Sequence, residues 1–478
     1  MGSRRERGGV ASMSEDLLAN IVRRLPATSF AAAACVCTSW RRACSQILSR
    51  PKLASALSLN PSAPIALQEV VDKVLSEPIF PHFAIVYVGL GFDLAGVLQY
   101  ISRKLGARTP VIVTRDAGVI GMDAATNEVE EVELEDDSED NEIDIDGACS
   151  IVLTVGFVPG LKVDCIPLVR PAKEPAMVDK FIMDIREYST SISGCASPVG
   201  LIMIGDGNAD IKCFVEKLDS AMPVETAIVG DERGDFLYRS ANNLRNVHGS
   251  QKCHDDAVAL VFAKERNSTP GVGEIRFHVA LSDGVSVVGP TYKAGSVRLR
   301  DDVTWLTAKR EGQTEVLDGE SILNEIYGEM NNRIKFPEYY IRVTKRRKHA
   351  IGAEKAKLIT SLSFHLVRGS KSSYQAAGTA SNAGKSEVFG GLLFVCCGRG
   401  PFFFGRPYVD ILPFMENFPG APLAGIYCGG EIGRCSMRPE EQGSQGESST
   451  RCCCHVYSTV YLVMSYTPAL PGATTLRG

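Results

Sequence analysis

The sequence predicts an α/β protein in which a small three-helix segment is followed by layered α/β domains built from repeated strand-helix-strand units around mixed sheets. Three observations carry that expectation. Between Ser12 and Leu53 the apolar residues recur at helical spacing, without strand-like alternation. Farther along, three stretches repeat one order of features: apolar strand, G-x-G turn, amphipathic helix, proline, second apolar strand and glycine-containing turn. The chain's 478 residues, 45% of them apolar, exceed a single domain of roughly 100 to 200 residues, so two or three domains are expected.

The bulk chemistry excludes several classes. The net charge of -5 conceals twelve carboxylates between Glu128 and Asp146, a stretch with no Lys or Arg. The remainder is only mildly basic, so neither nucleic acid nor a membrane is an expected partner. The opening residues MGSRRERGGV are too polar for a signal peptide, and no apolar run approaches the roughly 18 to 20 residues of a membrane helix. Fifteen cysteines, an odd number with several in apolar runs (Cys35, Cys37, Cys396, Cys397), fit reduced thiols in the cytoplasm and/or nucleus.

At the amino terminus, after a flexible tail at 1–11, Ser12 and Glu15 make an S-x-x-E capping box, and Leu17, Leu18, Ile21, Val22 and Leu25 form a helical stripe ended by Pro26. A second helix is expected from Thr28 through Val36. A third begins near Ser39, carries Trp40, Ile47 and Leu48, and stops before Pro51. Three helices in about 40 residues bury too little apolar surface by themselves, so they need a partner. The stretch SMSEDLLANIVRRLPATSFAAAACVCTSWRRACSQI resembles the F-box: L-L-x-x-I-x-x-x-L is met by Leu17, Leu18, Ile21 and Leu25, and V-C-x-x-W-R by Val36, Cys37, Trp40 and Arg41. The family's Leu-Pro start is replaced by Ser12 and Met13. The resemblance implies an F-box over 12–55 that docks on the Skp-type adaptor of a cullin-RING ubiquitin ligase. Leu17, Leu18, Ile21, Leu25, Pro26, Val36, Cys37, Trp40 and Arg41 would form or support that surface. The alternative is that Trp40 and Leu25 only make a miniature core. Residues 56–80 read as a linker.

The three repeats cover 83–121, 199–236 and 391–433. Gly89 to Gly118 spans 29 positions, Gly205 to Gly234 also 29, and Gly398 to Gly429 31. In the first, Leu94, Val97, Leu98, Ile101 and Leu105 give one apolar helix face, and in the second Ile211, Phe214, Val215 and Leu218 do so. Asp93 and Asn208 stand where a helix cap is needed. Such units pack with a right-handed crossover, which implies parallel strands within a mixed sheet. The middle residue of G-x-G is Leu90, Asp206 or Arg399, so the glycines serve the turn and only the third copy adds a cation. None continues as a G-x-G-x-x-G dinucleotide fingerprint. GTASNAGKS, 378–386, has five residues between its glycines where a phosphate loop needs four, and reads as a flexible loop.

GVIG (118–121), SDGVSVVGP (282–290), LDGESILNEIYGEM (317–330) and AGIYCGGEIG (424–433) resemble the two-part FIST region, and an F-box followed by FIST resembles one family of F-box proteins. The resemblance implies a FIST-N-like α/β domain at 81–290, with an acidic loop at 127–147, and a FIST-C-like domain at 291–467 before a flexible tail at 468–478. FIST regions are proposed as sensors of a small-molecule ligand, amino acids among them, and in an F-box protein this region would hold an as yet unknown protein substrate. Gly398, Arg399, Gly400, Tyr427, Gly430 and Glu431 are the candidate ligand or substrate residues, because they follow adjacent strand ends. Arg399 and Glu431 would either pair the carboxylate and amine of an amino acid or pair with each other.

The acidic run is too charged to order and reads as a solvated insertion. KRRKH, 345–349, is either a nuclear import signal or an exposed turn. Residues 436–451 read as a loop before a last strand, HVYSTVYLVMSY, at a sheet edge. Adjacent Cys452, Cys453 and Cys454 with His455 cannot all face one ion, and no C-x-x-C partner exists, so no metal and no cofactor is expected. Cys396, Cys397 or Cys428 with His365 or His455 would be a nucleophile and base only if folding brought them together; buried thiols are the other reading. The expected function is therefore a non-catalytic substrate-recognition subunit of an SCF-type ubiquitin ligase. The alternatives are a small-ligand sensor, or an α/β enzyme with a helical dimerisation arm.

Overall fold

A computed structural model of the chain describes residues 14–134, 149–169, 175–207, 209, 211–241, 255–266, 272–283, 285–300, 303–329, 339–348, 357–367, 386–436 and 450–469. The amino-terminal tail, GTASNAGKS up to position 385, Asn208 and most of the acidic run lie outside them. The described residues group into two compact units, one within 1–282 and 374–478, the other within 283–373.

The first unit opens with α1 (Glu15–Val22), α2 (Ala27–Ala33) and α3 (Thr38–Ile47). The cap of α1 is Ser14, whose Oγ accepts from the Leu17 N–H at 3.3 Å; Ser12, the serine of the expected capping box, lies outside the described residues. Glu15 and Asp16 in the first turn favour the positive helix end. Leu18, Val22, Phe30, Ala33, Ala43 and Cys44 make a small core between the helices.

Residues 56–80 are not a linker. β1 (Lys52–Ser58) pairs antiparallel with β6 (Ile151–Phe157), and α4 (Ala63–Val74) lays Ala66, Leu67, Val70, Val71 and Val74 on the sheet. Their spacing is helical, so the signal was present in the sequence.

All three repeats pair in parallel. β2 (Phe83–Val88) pairs with β3 (Val111–Arg115) across α5 (Leu94–Leu105). Farther along, β8 (Gly200–Asp206) pairs with β9 (Ala227–Arg239) across the helix Lys212–Ala221, here α7, and β17 (Glu387–Cys396) with β18 (Leu423–Cys428). Asp93 Oδ2 caps α5 by accepting from Gly96 N–H at 2.8 Å. The third crossover differs from the single helix expected. It breaks into a 3-10 turn, Cys397–Arg399, and two short helices, Pro401–Phe404 and Leu412–Asn417, each with proline in its first turn.

Adding β7 (Leu161–Val169), β10 (Asp255–Lys264), β19 (Glu431–Ser436) and β20 (Thr450–His455) completes one sheet, ordered β1-β6-β2-β3-β9-β8-β10-β7 with β19 and β20 branching from β9. The other sheet, which uses β4 (Gly118–Met122), β5 (Val129–Glu133), β11 (Glu274–Asp283) and β21 (Ser458–Thr467), runs β11-β21-β17-β18-β4-β5. The two sheets share one apolar core, in which Ile85, Val229 and Leu260 meet Leu392, Phe394, Ile426 and Leu462. Helices α4 and α5 cover one half of the first sheet's outer face, and α6 (Pro175–Ser193) with α7 the other half. Phe414 and Ile411 cover the second sheet. Strands buried on both faces account for the continuous apolar runs.

Three further expectations change. Residues 129–133 of the acidic run form β5, paired with β4. The last strand, β21, lies between β11 and β17 rather than at an edge, and is buried along nearly its whole length. The domain boundary expected at 290/291 is crossed by direct pairing of Gly425 with Ile120 and of Glu431 with Asp231.

The second unit is a five-stranded sheet, β14-β13-β12-β16-β15, made of β12 (Val285–Arg300), β13 (Val303–Arg310), β14 (Leu317–Asp318), β15 (Tyr339–Lys348) and β16 (Lys357–Val367). Helix α8 (Gly319–Glu329) packs Ile322 and Ile326 on Tyr292, Leu306 and Ala308. Lys345 to Lys348 lie in β15, paired with β16, and so are not a turn.

Candidate functional site

Two regions hold the residues singled out from the sequence. In the helical bundle the helix period splits the stripe into two faces. Leu18 is 5% exposed and belongs to the miniature core, with Leu25 and half-buried Trp40 packed against it. Leu17 (51%), Ile21 and Val36 (61%) face outward, as do Pro26, Cys37 and Arg41. The bundle therefore has its own core and still presents apolar side chains on its surface. Cys37 precedes α3, and the Ser39 hydroxyl, 3.0 Å from its sulfur, holds the thiol below its usual range. The bundle also rests on the α/β body, through the Ala27 N–H to Leu75 O bond and the exposed Arg50–Glu387 pair.

The second region lies where the chain changes sheet twice. It passes from β3 to β4 through Asp116 and Ala117, and from β18 to β19 through Gly429 and Gly430. The two crossings touch: Gly429 N–H donates to Asp116 Oδ2 at 2.7 Å, and Ala117 N–H to Tyr427 O at 3.1 Å. They stand at the carboxyl ends of parallel strands, where α/β sheets favour ligands.

Arg399 does not reach into this place as expected. It is 1% exposed and holds Asp410 at two points, Nε to Oδ2 at 2.9 Å and Nη2 to Oδ1 at 2.6 Å. Nη1 donates to Tyr457 O and Nη2 also to Ser282 Oγ. The guanidinium is thus committed to Asp410 within the third crossover and is not paired with Glu431. Tyr427 is buried against Glu131 and Glu133, Gly398 packs by Tyr457, and Gly400 and Gly430 lie against Glu133 and Glu232. Of the expected set, Glu431 is the member drawn into the polar cluster.

That cluster joins Asp116, Asp231 and Cys428, one ligand-capable atom of each lying within 4.8 Å of the others. Glu431 is the cross-strand partner of Asp231 and gives Oε2 to the Ser458 hydroxyl at 2.7 Å. Burial pushes the Asp116 carboxyl up to about 6. Burial, and then the Asp116 charge, holds Asp231 well above the usual carboxylate range, and burial does the same for Glu431 and the Cys428 thiol. Strongly perturbed carboxyls of this kind cluster at functional sites. Sequence reasoning missed Asp116 and Asp231. Their one signal was a carboxylate set in or directly after an apolar strand, in VIVTRD and AIVGD.

The thiols divide. A hydrogen bond between them pushes Cys396 up and Cys397 down. Cys452 and Cys454 face the helix side of β20 while Cys453 alternates away, its sulfur 3.4 Å from His455 Nε2. The side chain of His365 lies outside the described residues.

Comparison with known proteins places an F-box domain at residues 11–50. An F-box/LRR-repeat protein of Arabidopsis thaliana is 41% identical over 499 residues, an alignment that covers 96% of this chain and 94% of that protein. The described strands here join two facing sheets and a separate five-stranded one, not stacked one-strand repeats.

Proposed function

Because the chain belongs to the F-box proteins, we propose that it is the substrate-recognition subunit of an SCF-type cullin-RING ubiquitin ligase, acting in the cytoplasm and/or nucleus. The observation that carries this reading is the bundle of α1 to α3, with its core closed and Leu17, Ile21 and Val36 left on the surface. That face would dock on a Skp-type adaptor. The α/β body would hold a protein substrate, and proximity to the charged ubiquitin carrier would do the rest by raising the effective concentration of a substrate lysine. On this reading the chain performs no bond chemistry itself.

The body, read as a FIST-like region, is supported by the three parallel strand-helix-strand units and by the polar cluster that Asp116, Asp231 and Cys428 form where the chain changes sheet. An amino-acid sensor in which Arg399 takes the carboxylate is not supported, since Asp410 already occupies that guanidinium.

The test is co-purification of the full chain with a Skp-type adaptor and cullin. Wild type should retain both, and Val36→Asp, which charges the exposed face and leaves the small core intact, should lose them. Failure of the wild-type chain to retain the adaptor would overturn the reading.

A further inference from the structure

Asp116, Asp231 and Cys428 come from β3's end, β9 and β18, more than a hundred residues apart in sequence, yet their ligand-capable atoms lie within 4.8 Å of one another. A second observation is independent of these acids. Tyr87 and Thr114 are register partners on β2 and β3, both are fully buried, and neither hydroxyl has a hydrogen-bond partner. Thr114 stands near the end of β3, two residues before Asp116, and Tyr87 shares the inter-sheet core with Cys428. Asp231 Oδ2 is likewise without a donor, although Oδ1 accepts from Arg233 N–H.

Two of these orphaned oxygens, Thr114 Oγ1 and Asp231 Oδ2, converge on Gly234. A Cβ on Gly234 would stand 2.6 Å from Thr114 Oγ1 and 2.8 Å from Asp231 Oδ2, so only glycine leaves the gap they face. Buried unsatisfied polar groups cost about 1–3 kcal/mol each. A buried carboxyl and a half-buried one brought this close call for a cation or a shared proton between them.

We propose that Asp116, Asp231 and Cys428 bind a divalent transition-metal ion of the zinc(II) class, with the Tyr87 and Thr114 hydroxyls orienting the ligand carboxylates. The donor set selects the class. Calcium and magnesium take oxygen ligands alone, whereas copper(I) prefers sulfur; a mixed carboxylate and thiolate set suits zinc. Hydroxyls that donate to the outer oxygens of ligand carboxylates are the usual outer shell of such a site. Three protein ligands leave a coordination position open. The site is independent of adaptor docking by α1 to α3.

The test uses the full chain purified with its adaptor, or alone if it has none, dialysed against zinc(II) and separately against cobalt(II). The expected result is about one bound equivalent of either ion, a sulfur-to-cobalt charge-transfer band, and a melting temperature raised by zinc(II). Cys428→Ser should abolish the band, and Asp231→Asn should weaken binding by roughly tenfold or more. Should either variant fail to fold by circular dichroism, Asp116→Asn supplies the same reading. Equal binding by wild type and variants would assign the metal elsewhere and overturn the proposal. So would the absence of any metal response in wild type; a raised melting temperature in Asp231→Asn would then mark a carboxyl pair sharing a proton.

Discussion

Arg399 and Asp410 form a two-point ion pair with both side chains removed from solvent, at 2.9 and 2.6 Å. The pair ties the 3-10 turn after β17 to the segment that leads into Leu412–Asn417, and so holds together a crossover too broken by proline to be one helix. Losing one partner leaves a buried charge uncompensated. Arg399→Met should therefore destabilise by about 3–5 kcal/mol, and Arg399→Met with Asp410→Leu by clearly less. Urea denaturation of the two variants measures the difference; equal losses would mean that the ion pair is not what holds the crossover.

In the helical bundle, stability and docking should separate by face. Leu18→Ala opens the small core and should cost about 2–5 kcal/mol. Ile21→Asp and Val36→Asp alter exposed positions, so they should change stability by only about 0.5 kcal/mol while abolishing adaptor retention. Thermal melts run beside pull-downs check both.

His82 predicts a limb of the stability profile in acid. Its Nδ1 lies 3.1 Å from Val158 O and 3.3 Å from Val158 N, its ring meets Phe157 edge-on, and burial outweighs the Val158 bond and pushes its imidazole below the ordinary value. The unfolded chain binds this proton more readily, so the stability is present above about pH 6.5, the unperturbed value, and is lost as pH falls through the folded one. His82→Gln should flatten the melting-temperature profile below about pH 6.5. An unchanged slope would assign the acid limb to other groups.

Gly234 should resist even the smallest side chain. A Cβ there meets Thr114 Oγ1 at 2.6 Å, Asp231 Oδ2 at 2.8 Å and Ile204 Cγ2 at 3.0 Å. Gly234→Ala should therefore destabilise by about 1–3 kcal/mol, the usual range for overpacking. Gly312→Ala is a poor control because its φ is +88°, so Gly328→Ala, in open space on α8, serves instead.

The α5 cap is a smaller and cleaner case. Asp93→Ala removes the acceptor for Gly96 N–H and should cost about 1 kcal/mol. Asp93→Asn keeps an acceptor and should recover most of it.

Much of this architecture was legible because it is local. The stripe Leu17, Leu18, Ile21, Val22 and Leu25 and the face Leu94, Val97, Ile101 and Leu105 announce helices by period alone, and three strand-helix-strand units can be counted from their glycines. Local pattern also misled. The α4 segment lies between two recognisable domains and reads as a linker although Val70, Val71 and Val74 carry helical spacing, and nothing in the turn that holds Arg399 reveals its partner Asp410, eleven residues on.

By itself the sequence determined the helical head with its outward apolar residues and the three parallel units, since each depends on periodicities within some forty consecutive positions or fewer. Only the tertiary structure decided that β18 returns to pair with β4, that β19 crosses to β9, and that Asp116, Asp231 and Cys428 consequently meet. The physical reason is that sheet partnership is settled by burying two long apolar faces against each other, and that choice is made between strands hundreds of residues apart, beyond the reach of any local pattern.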